Sequence, residues 1–131
     1  MRVLLDSSAY SAFMRDHIGV GETLSQAGTI YLSPIVLGEL RAGFLKGSKR
    51  QRNEEQLEAF CETPRVRVAP IDGETSKRYA VILESLRKAG TPIGTNDLWI
   101  ASSAMQHGLT VVTTDTDFRK VSEILTRCYD P

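Results

Sequence analysis

The 131-residue chain carries 16 Lys+Arg against 16 Asp+Glu, and 41% of its residues are hydrophobic. That length fits one domain spanning 1–131, and the zero net charge excludes both a uniformly basic nucleic-acid coat protein and an acidic disordered tail. The longest apolar run, Tyr79–Leu83, is too short for a membrane span, and Asp6 interrupts the first apolar stretch before a signal core can form.

Val3-Leu4-Leu5 reads as a short buried strand that passes at Asp6-Ser7-Ser8 into a helix over Ala9–Met14. A weak helix over Glu22–Ala27 follows, then the β-branched and aromatic strand Thr29–Leu32. Ser33-Pro34 opens a helix to about Lys46, with Ser as cap, Pro at the first position and Val36, Leu40 and Phe44 on its core face. A second helix, Lys49–Glu62, completes a hairpin. Val66-Arg67-Val68 is a short strand. Asp72 caps a long helix whose core face holds Tyr79, Ile82, Leu83 and Leu86, ending at Gly90. Thr95-Asn96-Asp97 opens another helix, to His107-Gly108. Leu109–Thr113 is the strongest strand, and a last short helix follows Asp117. Strands separated throughout by helices predict an α/β sandwich with a mainly parallel sheet, whose sites lie at the carboxyl ends of its strands.

Acids collect at those ends. Asp6 follows the first strand, Asp115 and Asp117 follow the last, Asp97 begins a neighbouring helix, and Glu39 lies on the flank of the helix after the second strand. Singly, each has a plain structural role: Asp6 as a cap, Asp97 as a complement to a helix dipole, Asp115 and Asp117 as an Asx turn. Convergent carboxylates repel one another unless protons or a cation intervene, and Mg²⁺ or Mn²⁺ suits such oxygen ligands.

Four segments carry these acids in order. Leu4-Leu5-Asp6-Ser7-Ser8 sets an acid after an apolar strand and before small hydroxyl residues. Leu32-Ser33-Pro34-Ile35-Val36-Leu37-Gly38-Glu39-Leu40, with Gly43, places an acid in a helix. Asn96-Asp97-Leu98-Trp99-Ile100-Ala101 and Gly108–Phe118 supply the rest. With these segments the whole chain resembles the PIN-domain nucleases, and among them the toxin halves of VapBC-type toxin–antitoxin pairs.

The resemblance implies a three-layer α/β/α sandwich and Asp6, Glu39, Asp97 and Asp115 as metal-binding catalytic acids. Asp117 is the alternative to Asp115. Ser7, Thr113 and Asn96 are candidates to orient those carboxylates. The implied activity is Mg²⁺- or Mn²⁺-dependent hydrolysis of RNA by an ion-activated water, leaving 5′-phosphate and 3′-hydroxyl ends. A VapB-type antitoxin and a homodimer are the implied partners.

Other residues fill out this reading. Charge is segregated, with +5 over residues 41–52 and −4 over 53–62. Arg41, Lys46, Lys49, Arg50 and Arg52 are therefore candidates for contact with RNA phosphates. Tyr10 and Phe13 can stack on bases only if they escape the core. Apolar groups near Ala9-Tyr10, Phe13-Met14 and Leu24 are available to an antitoxin or to the core. His17 and His107 read as surface or capping residues, and isolated Cys61 and Cys128 as thiols of a reducing cytoplasm. Two other classes stay open. A haloacid-dehalogenase-like phosphatase would use Asp6 as nucleophile, although Ser8 stands where that pattern wants a second Asp. The other is a non-catalytic PIN-like RNA-binding scaffold.

Overall fold

A computed structural model describes all residues, Met1–Pro131. Strands β1 (Arg2–Leu5), β2 (Thr29–Leu32), β3 (Val66–Val68), β4 (Thr110–Thr113) and β5 (Leu125–Cys128) form one sheet in the order β3-β2-β1-β4-β5. Every neighbouring pair is parallel, with Leu4 in register with Tyr31 on one side and Val111 on the other. The helices are α1 (Ser7–Met14), α2 (Ile18–Gln26), α3 (Pro34–Lys46), α4 (Arg50–Glu62), α5 (Gly73–Ala89) and α6 (Thr95–His107).

The order of strands fixes the layers. The chain steps outward from β1 to β2 to β3 through α1–α4, then returns past β1 to β4 through α5 and α6. Parallel crossovers are right-handed, so the two directions of travel put α1–α4 on one face and α5–α6 on the other. The expected three-layer α/β/α sandwich is what results. Travel reverses between β1 and β4, and a crevice opens at their carboxyl ends.

The strands nearest that reversal are the most apolar. Val3, Leu4, Leu5, Val111 and Val112 are each fully buried, as a parallel strand covered on both faces requires. They belong to a continuous core of 26 buried side chains that reaches from Val3 to Val121. Gly108 closes α6 at φ 65°, a left-handed conformation that frees the chain to enter β4. The core also claims the first helix: Tyr10 is buried and Phe13 packs on Phe60, so neither is free to stack on a base.

Two elements differ from the sequence reading. The helix expected over Glu22–Ala27 begins at Ile18, where His17 accepts the Val20 N–H on its ring Nδ1. After Asp117 there is no terminal α-helix. A 3₁₀ turn, Thr116–Lys120, is followed by β5, an edge strand whose residues alternate between exposed and half-buried.

Helix α4 is held to the core through a single fully buried side chain, Leu57. Leu57→Ala is expected to lower stability by about 2–5 kcal/mol in urea unfolding. Leu45→Ala, on the exposed side of α3, is expected to change it by less than about 0.5 kcal/mol.

Candidate active site

Asp6 leaves β1 as the cap of α1. Its Oδ1 accepts the Ala9 N–H at 2.8 Å and the Ser8 hydroxyl at 2.7 Å, and its Oδ2 accepts the Thr113 hydroxyl at 2.6 Å. Three donors favour the charged carboxylate, but burial dominates and raises its pKa, with the charge of Asp115 adding to the rise. Because each hydroxyl has given its one proton to Asp6, the 3.3 Å approach of Ser8 to Thr113 is contact only.

Thr113 is the hinge of the arrangement. Its oxygen also accepts the Asp115 N–H at 2.9 Å, and Asp115 in turn accepts the Asp117 N–H at 2.9 Å. The Thr114 N–H donates to Ser8 at 3.0 Å. The loop after β4 is thus hydrogen-bonded to the first turn of α1. Ser8, which the sequence reading left without a role, is one of its anchors. The sequence signal was its place two residues beyond a strand-ending acid.

Glu39 is held apart by its own partners. Ser7 donates to one carboxylate oxygen at 2.9 Å, and the Asn96 side chain to the other at 3.3 Å. Ser7, Thr113 and Asn96 therefore all bond to site acids or their neighbours. Asn96 reaches across to α3 rather than capping α6.

The tightest group is Asp97, Asp115 and Asp117, whose candidate ligand oxygens lie within 4.8 Å of one another. Asp6 and Glu39 fall outside that trio but still act on it. Asp97 has its pKa pushed up to about 6, first by burial, then by the charges of Asp115, Glu39, Asp6 and Asp117. Its position in the first turn of α6 favours the charged form, and burial together with the surrounding acids outweighs that. A trio of hard oxygen donors under such repulsion fits a divalent cation.

The basic candidates lie elsewhere. Lys46, Lys49, Arg50 and Arg52 are exposed at the α3–α4 tip and make no ion pair. Arg41 is not a free cation: Glu54 grips it with hydrogen bonds of 2.9–3.1 Å, which raises the pKa of the one and lowers that of the other. A groove of about 580 Å³ between these helices is lined by Glu54, Glu55 and Glu58 together with Arg41 and Arg50, a surface of mixed charge.

The PIN domain family model matches residues 3–124. The chain is 32% identical to ribonuclease VapC1 of Rickettsia felis over 131 residues, covering 96% of each chain. It is 31% identical to ribonuclease VapC4 of Mycobacterium tuberculosis over 93 residues, 71% of this chain and 72% of that one. Among solved structures, VapBC2 from Rickettsia felis, bound to a promoter DNA fragment, superposes with a TM-score of 0.87 at 27% identity, covering 99% and 100% of the two chains. The chain belongs to the PIN-domain family, on the branch of the VapC ribonucleases.

The raised pKa of Asp97 has a consequence for stability. Between the ordinary value of 3.8 and about 6 the folded chain binds more protons than the unfolded one, so stability falls as pH rises through that window. Asp97→Asn removes this penalty. In EDTA at pH 7.5 it is expected to stabilise the protein by about 1 kcal/mol, after allowance for solvent screening, and the gain should vanish near pH 4. Urea unfolding at the two pH values checks both.

Proposed function

We propose that this chain is the toxin of a VapBC-type pair, an endoribonuclease that works with Mg²⁺ or Mn²⁺ in the cytoplasm beside a VapB-type antitoxin. Residues 1–131 act as one PIN unit, as a homodimer. The observation that carries the reading is the carboxylate trio at the β1/β4 reversal, in a chain of VapC kinship. No helix is long and apolar enough to cross a membrane.

Each residue has a task. Asp97, Asp115 and Asp117 hold the cation, with Asp6 and Glu39 adding negative charge at its margin. When bound, a divalent cation screens the phosphodiester, lowers the pKa of a water and stabilises the leaving oxygen. Thr113 and Ser8 fix Asp6 and the loop after β4, while Ser7 and Asn96 fix Glu39. Lys46, Lys49, Arg50 and Arg52 draw the RNA backbone toward this edge. Arg41 is left out, being committed to Glu54.

The phosphatase alternative fares poorly on geometry. That class wants a second acid two residues after Asp6, and Ser8 stands there with its hydroxyl donated to Asp6. A non-catalytic scaffold has no use for acids whose mutual repulsion strains the folded chain.

With single-stranded RNA and Mn²⁺, the wild-type protein is expected to yield fragments with 5′-phosphate ends, and EDTA to stop it. Asp115→Asn is expected to lower kcat at least about 100-fold. Cleavage that survives both changes refutes the assignment. Replacing Lys49, Arg50 and Arg52 together by Gln is expected to raise KM several-fold at low salt. That difference should shrink as salt is raised, which a titration of KM against salt reads directly.

A further inference from the structure

Among the five acids of the site, a single one carries an ion pair. Lys120 places its Nζ 2.9 Å from Asp117 Oδ1, and no other basic side chain pairs with Asp6, Glu39, Asp97, Asp115 or Asp117. The 3₁₀ turn enforces this pairing. Side chains three apart eclipse one another in a 3₁₀ helix, so Asp117 and Lys120 stand together on one side. The opposite side is anchored in the core by Phe118 and, one residue beyond the turn, Val121, both buried.

Both partners of the pair are about two-fifths exposed, with side-chain accessibilities of 39% and 40%. An exposed ion pair of this kind is weak, so it can be exchanged at small cost. Asp117 belongs at the same time to the trio whose oxygens lie within 4.8 Å of one another. One carboxylate is therefore claimed by two cations, the resident ammonium and any divalent ion that enters the trio. A lysine released there remains tethered at the rim on a flexible four-carbon stem, where it acts as a compact point charge for phosphate.

We infer that Lys120 is a phosphate-binding residue of the site, held on Asp117 in the free protein and transferred to the RNA phosphate once a divalent cation neutralises that carboxylate. The inference rests on the nuclease reading for its substrate, but the competition for Asp117 does not. In the free protein Lys120 offsets part of the repulsion among the acids. In the loaded protein it adds a positive charge beside the phosphate undergoing attack. Its place three residues after Asp117 is visible in the sequence, but nothing there distinguishes it from an ordinary surface lysine.

Mn²⁺ affinity, read by electron paramagnetic resonance without RNA, tests the competition. Lys120→Gln is expected to bind Mn²⁺ about two- to fivefold more tightly than wild type, because Asp117 no longer has a rival cation. In an Asp117→Asn background the same replacement is expected to change nothing, a double-mutant comparison that isolates the pair. At saturating Mn²⁺, Lys120→Gln is expected to cleave RNA about tenfold more slowly, and Lys120→Arg to retain most of the rate. Unchanged Mn²⁺ affinity in Lys120→Gln overturns the inference, as does wild-type cleavage by that variant. If wild type itself fails to cleave RNA, the nuclease reading falls, and with it the phosphate role. The Mn²⁺ series still decides whether lysine and metal compete. Circular dichroism confirms that these exposed-site variants are folded.

Discussion

Everything at this site depends on the side-by-side placement of β1 and β4, fastened by the hydrogen bond from Thr113 to Asp6 at 2.6 Å. The two strands come from opposite ends of the chain, separated in sequence by every other strand but β5. Bringing them together sets Asp6 and the Asp115–Asp117 loop at one crevice, and α6 adds Asp97 from the other layer. Thr113 serves both strands with a single oxygen, donating to Asp6 and accepting from the Asp115 backbone. Without that bridge, Asp6 would keep only the donors of its own helix, Ala9 and Ser8, and the loop after β4 would be tied to it through Ser8 alone.

The arrangement works against the stability of the free chain. Asp97 and Asp6 are both harder to ionise than in water, and burial is the first cause for each. The fully apolar central strands beneath them supply the excess of stability that permits such a site. The same acids suit a hard divalent cation, and the one ion pair among them is that of Lys120 with Asp117. The zero net charge of the whole chain therefore conceals a division of labour. Apart from Asp6, Glu39, Asp97, Asp115 and Asp117, 16 basic groups face 11 acidic ones.

Legibility in the sequence followed physical contrast. Val3–Leu5 and Leu109–Thr113 were readable because a strand buried on both faces must be continuously apolar, and the acids that end them stand out against that background. Strand β5 was not, because it is an edge strand: Leu125 is 74% exposed, and Thr126 and Arg127 carry no apolar signal. The start of α2 was hidden because its buried residues are only Val20, Thr23 and Leu24, spread among two glycines. Spacing suggested the four acids but left Asp115 and Asp117 as rivals. The 3₁₀ turn, a conformation without a clear sequence signature, brings the two together with Asp97. The hydroxyl bridges through Ser8 and Thr113 were equally out of reach, since they join residues more than a hundred positions apart.

The most direct test of the central claim is the position of a bound cation. Crystals soaked in Mn²⁺, with diffraction collected at the manganese absorption edge, give an anomalous difference map that locates the ion independently of any activity. The expected result is a strong peak bounded by carboxylate oxygens of Asp97, Asp115 and Asp117. A peak at another surface, or none there at millimolar Mn²⁺, contradicts the assignment of this crevice as the metal centre.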